Sequence, residues 1–379
     1  MKRVAILIMV VLVLWLPCSM MLSKTISKEK SFSDVPSYVY YRYCSLKSWL
    51  DEMINKISIE SFRNMSFNGH HILASENIAP IVPDDIKILF VDILAELGVD
   101  TISMNIYPNV YDNIVSSYDQ VVSRIREHSR KLVIVYMVGE NTFDHIPTFE
   151  EYLSLEINYT RKLVSKYKPE FYGILVEITT MQKRIGCTFT TDQWVKLITQ
   201  VHEVVKETCN TTKTFVSLLV EEADRFLNPI LETEIDIIAF NVYGSRAAEN
   251  VGKYITYAKE KSCKEVWIWE NWWGSQWDPL TREPLIWFRD CYWQEINAKW
   301  IKLIAYIAQT HGAKMMSPFF TEQFVYCNHE YGKPLEKQFT EILEAVKNGN
   351  RTLTFQEYKQ LIEEIKHQQA YYYLGQQEK

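Results

Sequence analysis

Apolar positions along this chain switch repeatedly between two periods. Short runs rich in β-branched and aromatic residues, which read as strands buried on both faces, occupy 65-73, 99-107, 131-139, 171-178, 213-221, 235-243, 265-272 and 313-320. Between and after them apolar residues recur at helical spacing, over 84-97, 112-129, 149-167, 190-208, 222-233, 247-262, 290-311 and 334-347. Helix-start signals accompany several of these: Asp84 and Asp85 after Pro83, Thr148 opening Thr-Phe-Glu-Glu, and Thr191 before Asp192. Eight such alternations imply parallel strands joined by right-handed crossovers. With neither GxGxxG nor GxxxxGK present, the pattern predicts an α/β fold of the closed (β/α)8 TIM barrel type rather than a doubly wound nucleotide-binding sheet.

A further amphipathic helix over Ser37 to Arg63, with Tyr41, Leu46, Trp49, Leu50, Met53 and Ile57 at helical spacing, is expected to cover the barrel bottom, and another begins at Leu353. Before them, Lys2 and Arg3 precede an apolar run from Val4 to about Leu22, the pattern of a secretory signal or, uncleaved, of a membrane anchor through residues 4-22. The division is therefore 1-23 signal peptide or anchor, 24-36 polar tether, 37-350 barrel with its leading helix, and 351-379 C-terminal helix and tail. Either fate of the leader puts the barrel outside the cell, secreted or held at the outer face of the membrane.

Composition narrows this further. A net charge of −6 without a long basic stretch argues against a nucleic-acid partner. Four Asn-x-Ser/Thr triplets, at Asn64, Asn158, Asn210 and Asn350, fit an exported glycoprotein surface. Six cysteines follow Cys18, namely Cys44, Cys187, Cys209, Cys263, Cys291 and Cys327; an even number in an exported chain suggests disulfides, with fifteen full connectivities open. No CxxC and no His/Cys cluster points to zinc, so no residue is assigned to a metal.

Chemistry in a barrel of this kind gathers where strands end. The strand Tyr172-Gly173-Ile174-Leu175-Val176-Glu177 stops on an acid, and so does Val266-Trp267-Ile268-Trp269-Glu270. Strict alternation puts Gly173, Leu175 and Glu177 on one side of the fourth strand and Val266, Ile268 and Glu270 on one side of the seventh, so both glutamates are expected to point inward. Polar or aromatic side chains at other strand ends join them as candidate substrate-binding residues: His70, Asn105, Tyr107, Asn241, Tyr243 and Phe320. Trp267 and Trp269 are expected to pack against helices, whereas Trp272, Trp273 and Trp277, beyond the strand end, are candidates for stacking on sugar rings. Glu221 and Glu222, ending strand five, and Glu322, after strand eight, are alternative acids, each more readily read as a solvated loop residue.

This constellation resembles the retaining glycoside hydrolases of clan A, the group that includes many endoglucanases, mannanases and galactanases. The resemblance covers roughly residues 65 to 330 and rests on the acids ending strands four and seven, Asn241-x-Tyr243 on strand six, and the tryptophans about Glu270. It implies Glu177 as acid/base, Glu270 as nucleophile and Tyr243 as a donor steadying the nucleophile, on a carbohydrate substrate and without any cofactor. Hydrogen bonds from Tyr243 and Asn241 are expected to keep Glu270 charged, and an apolar wall with nearby negative charge to keep Glu177 protonated. Two positions depart from the clan. Val176 stands where its members carry asparagine before the acid/base, and Pro318-Phe319-Phe320 where many carry tryptophan. Those departures motivate a second reading, a carbohydrate-binding barrel without catalysis. A metal-dependent hydrolase would need His70, His71, His145 or His311 to converge, and a surface scaffold would leave the two buried acids without a purpose.

Overall fold

Each apolar run becomes a strand: β1 (Ser66–His70), β2 (Thr101–Ile106), β3 (Lys131–Tyr136), β4 (Phe171–Val176), β5 (Lys213–Leu219), β6 (Ile237–Tyr243), β7 (Glu265–Trp272) and β8 (Met315–Met316). All pairings are parallel and run in chain order, and β1 also pairs with β8, so the sheet closes on itself as a (β/α)8 barrel. This computed structural model describes residues 37–57, 65–70, 79–139, 142–273, 291–319, 321–327 and 334–377. The leader, the tether, Asn64, His71, Trp277 and Phe320 lie outside the described residues.

Helices fill the gaps between strands, with local differences that have physical causes. The run at 112-129 starts only at Val115, after a separate turn Pro108–Tyr111 that carries proline at its first position. Residues 178-190, between the fourth strand run and the next helical run, contain a further helix, Ile178–Ile185, which stops at Gly186 with φ of 71°. β8 is two residues long because Pro318 has no N–H for the ladder, although Phe319 N–H still reaches the carbonyl of Asn271 at 3.2 Å. The start at Thr148 is a full capping box with Glu151, and the next cap falls on Thr190 with Gln193, one residue before the expected Thr191. Of the six cysteines after the leader, Cys291 and Cys327 form a disulfide and the other four are free.

The leading helix Ser37–Lys56 does not close the barrel bottom. It lies on the outer wall: Tyr43 and Lys47 bond Glu295, Asp51 pairs with Lys299, and Trp49 donates to Glu249 while stacking on Trp300. Its apolar face is thus spent on helix Gln294–His311 instead of on strand ends. Helix Leu353–Gln377 flanks the same wall, where Phe67 of β1 meets Tyr358 edge-on.

The lumen differs most from strict alternation. Trp267 packs on Phe171 of β4 (4.8 Å) and Phe215 of β5 (5.5 Å), and Trp269 on Phe215 (4.6 Å) and His70 of β1 (5.0 Å). None of these strands neighbours β7, so both indoles reach across the barrel interior and do not pack against helices as expected. Space for them is made by Ala239 and by Gly173, where a Cβ would come within 2.7 Å of the Phe215 ring.

With Trp267 inward, Val266 and Ile268 face the helices, and Glu270 would follow them there. A bulge prevents this. Ile268 pairs with Phe240, but it is Glu270, not Trp269, that pairs with Asn241. The extra residue Trp269 advances the phase by one, so Glu270 enters the lumen. β4 carries a similar irregularity between Gly173 and Leu175, after which Val176 pairs with Ser217. Glu177 then departs from the strand with φ of 57°, a conformation rare outside glycine.

Candidate active site

Two backbone irregularities thus deliver the two acids to one place. Asn241, wholly buried on β6, donates from Nδ2 to Glu177 Oε1 (2.8 Å) and to Glu270 Oε2 (2.9 Å). One nitrogen within reach of both keeps those oxygens at most about 5.7 Å apart, close to the roughly 5–5.5 Å of retaining glycosidase pairs and short of the roughly 6.5–9.5 Å of inverting ones. The amide is itself oriented: Ser217 Oγ on β5 donates to Asn241 Oδ1 at 2.5 Å. Tyr243, two residues along the same strand face, donates from its hydroxyl to Glu270 Oε2 at 2.5 Å.

Glu177 sits at the start of helix Ile178–Ile185. Its N–H bonds the carbonyl of Ser217 (2.9 Å), its carbonyl accepts from Met181 N–H (2.9 Å), and Thr180 Oγ1 donates to its Oε2 (2.6 Å). A non-glycine residue at positive φ costs on the order of 1–3 kcal/mol, and these contacts offset it.

On the opposite side, β1, β2 and Ser317, which follows β8, form a polar floor. Asn68 Nδ2 donates to Ser103 Oγ (3.2 Å) and Ser317 Oγ (3.1 Å), Thr101 donates to Asn68 Oδ1 (2.7 Å), and Ser317 Oγ pairs with His70 Nδ1 (2.7 Å). His70 Nε2 then lies 3.8 Å from Glu270 Oε1. Burial lowers the His70 imidazole to about 4, so the ring is neutral at physiological pH. Asn271, the neighbour of Glu270, faces outward: it donates to the Ser317 carbonyl (2.7 Å) and accepts from Trp300 Nε1 (3.0 Å), which anchors the top of β7 to the helix layer.

Burial, and then the negative charge of Glu177, raise Glu270 to about 8, with smaller offsets from Tyr243, Arg184 and Trp269. This corrects the expectation that Tyr243 and Asn241 keep Glu270 charged at rest. At 4% exposure the desolvation of Glu270 outweighs its donors, so near neutrality the resting proton is on Glu270. The Tyr243 phenol, buried against both acids, is held protonated well above its usual range.

Of the other expected residues, His70, Asn241 and Tyr243 surround Glu270 as anticipated. Asn105 is buried on β2 with the parity of Thr101 and Ser103, whose hydroxyls face the lumen. Tyr107 is buried just beyond the end of β2, and its hydroxyl reaches Met137 Sδ at 3.8 Å. Trp272 is in register with Tyr243 and 7% exposed. Trp273 is not an open stacking platform: it is buried, stacked on Trp293 at 4.8 Å and bonded through Nε1 to Asn297. At the strand-eight position the half-buried ring in the site is Phe319, edge-on to His70 (6.1 Å) and Tyr243 (6.0 Å). His145 pairs with Glu151 in an exposed setting and His311 bonds Thr256, so neither approaches His70.

Ser217, Thr180 and Ser317 were not singled out for the site in the sequence. Ser217 had a usable signal, a lone hydroxyl inside the apolar run Phe215–Leu219.

No family model matches the chain, and no curated protein matches it. Among solved structures it is similar to a beta-glucanase from Saccharophagus degradans, at 13% identity over 80% of this chain and 88% of that one, with a TM-score of 0.48. An endoglucanase from the hyperthermophilic Thermotoga maritima matches at 13% identity over 78% of this chain and 99% of its own, TM-score 0.49. A GH113 beta-1,4-mannanase matches at 12% identity over 75% and 99%, TM-score 0.48.

Proposed function

We propose that the protein is a glycoside hydrolase that cleaves β-linked poly- or oligosaccharide by a retaining double displacement. The observation that carries this reading is the single amide, Asn241 Nδ2, within 2.8 and 2.9 Å of both carboxylates. Two acids at that separation can serve one glycosidic bond from opposite sides, with no room for a water between them. Glu270 is the nucleophile. Its Oε2 is engaged by Asn241 and Tyr243, which leaves Oε1 the freer oxygen for attack on the anomeric carbon. Glu177 protonates the departing oxygen, then as carboxylate takes a proton from water to release the covalent glycosyl-enzyme.

The resting proton on Glu270 must leave before attack. Positive charge developing on the sugar ring favours the Glu270 anion, and the bridging amide keeps Glu177 close enough to hold the proton instead. No step calls on a cofactor. Export belongs to the same proposal, supported by the Cys291–Cys327 disulfide and the basic-apolar leader.

The alternative, a carbohydrate-binding barrel without turnover, draws on Val176, an apolar residue in register with Ser217 beside the acid pair. One experiment separates the two. A panel of β-linked glucan, mannan, galactan and chitin-type substrates, followed by proton NMR, is expected to give the β-anomer as first product. A Glu270→Gly variant is expected to lose turnover and recover it with azide. An α-anomer as first product would overturn the retaining assignment, and binding without turnover on every substrate would leave the binding barrel.

A further inference from the structure

We propose that Glu222 is a positioning residue which holds the proton-donating Glu177 in the barrel mouth by clamping Thr179; the proposal rests on the role assigned to Glu177 above. Glu222 closes the short turn Val220–Glu222 after β5 and, far from being a solvated loop acid, is 5% exposed. Its Oε1 accepts the N–H of Thr179 at 2.6 Å and the hydroxyl of Thr179, and its Oε2 accepts the N–H of Leu219 at 3.1 Å. A carboxylate is rarely retained at this depth unless donors are organised around it. Here the donors come from two different elements, and so the carboxylate ties β5 to the start of helix Ile178–Ile185.

That start is where Glu177 must be held. Thr179 is the second residue after Glu177, and its neighbour Thr180 donates to Glu177 Oε2 at 2.6 Å. On the other side of the turn, Glu177 N–H bonds the carbonyl of Ser217, also on β5. The residue at φ of 57° is therefore bracketed by two contacts from one strand unit, Ser217 before it and Glu222 after it. Loosening the second contact frees the helix start to relax toward ordinary backbone, which carries the Glu177 carboxyl away from the leaving oxygen. A positioning fault of about 1 Å is enough to cost a reaction two orders of magnitude.

Leaving-group dependence reads this out, because kcat/KM reports only the first displacement. A 2,4-dinitrophenyl glycoside departs without proton help and a phenyl glycoside does not. Glu177→Gln comes first: a larger loss on the phenyl substrate establishes Glu177 as proton donor, and an equal loss on both ends that assignment and this proposal together. Given that split, Glu222→Gln is expected to lower kcat/KM on the phenyl substrate about 10–100-fold, within the span general acid catalysis contributes. On the dinitrophenyl substrate it is expected to stay within about threefold of wild type. Equal losses on both substrates, or no loss on either, in a Glu222→Gln protein with wild-type thermal unfolding would overturn the proposal. Should Glu222→Gln fail to fold, Thr179→Val removes only the hydroxyl arm of the clamp. It is expected to show the same split at smaller size, and absence of the split there overturns the proposal equally.

Discussion

Tyr243→Phe removes one oxygen and isolates the side-chain interaction that most favours charge on the proposed nucleophile. Tyr243 donates to Glu270 Oε2 at 2.5 Å from a half-buried ring whose packing edge-on to Phe319 the phenylalanine retains. An O–H to carboxylate bond of this kind contributes about 1.5–3 kcal/mol and favours the ionised acceptor. Its loss therefore destabilises the Glu270 anion relative to the neutral acid and raises a midpoint already near 8. At about 1.4 kcal/mol per unit the rise is roughly 1–2 units. Attack requires ionised Glu270, and below the midpoint each unit costs tenfold. At pH 7, kcat/KM should then fall about 10–100-fold, with the deficit narrowing as pH climbs past the new midpoint. The checks are a pH profile of kcat/KM on an aryl glycoside and, independent of turnover, a carbon NMR titration of carboxyl-labelled glutamate. An acid limb and a Glu270 titration that both stay where wild type has them would refute the claim that Tyr243 stabilises charge on Glu270.

The remaining predictions concern stability. Glu270 titrates near 8 folded against an ordinary 4.5, so the folded state binds the extra proton between those values; wild-type stability is full below about 4.5 and is lost as pH rises to 8. Glu270→Gln removes that loss and should raise the unfolding free energy at pH 8 by about 2–5 kcal/mol while abolishing turnover; an unchanged or lowered melting temperature at pH 8 would count against it. Glu156, 2% exposed on helix Phe149–Tyr167 with Oε2 unpartnered, is pushed up by burial in the same sense. Glu156→Gln should reproduce the alkaline stabilisation with turnover intact, checked by melting curves at pH 5 and 9. Cys291→Ser opens a loop of 36 residues and should cost about 3–4 kcal/mol, read from urea unfolding with and without reductant.

The order of elements was legible because each strand is an apolar run too short for a helix and each crossover carries its own periodicity. What the sequence concealed was phase. Counting by twos puts Glu270 with Val266 and Ile268, and those residues face the helices; the inward position of Glu270 depends on Trp269 being skipped in the pairing with β6. Likewise Glu177 enters the mouth through a left-handed backbone step following an irregular stretch of β4, and not through parity with Gly173 and Leu175. Alternation thus reached the right two residues from the wrong side of β7 and, on β4, past a register shift that breaks the parity set at the inward Gly173; the same error on β7 sent Trp267 and Trp269 outward when they fill the lumen. A bulge leaves no mark in composition or in a count by twos, since it inserts one unpaired residue without changing the residue types around it. Here Trp269 already faces Phe215 and His70 by alternation with Trp267, and what the bulge changes is the side on which Glu270 emerges. The indole that fills the barrel and the carboxylate beside Asn241 therefore occupy consecutive positions: alternation places the first, and the residue of register yielded after it turns the second inward as well.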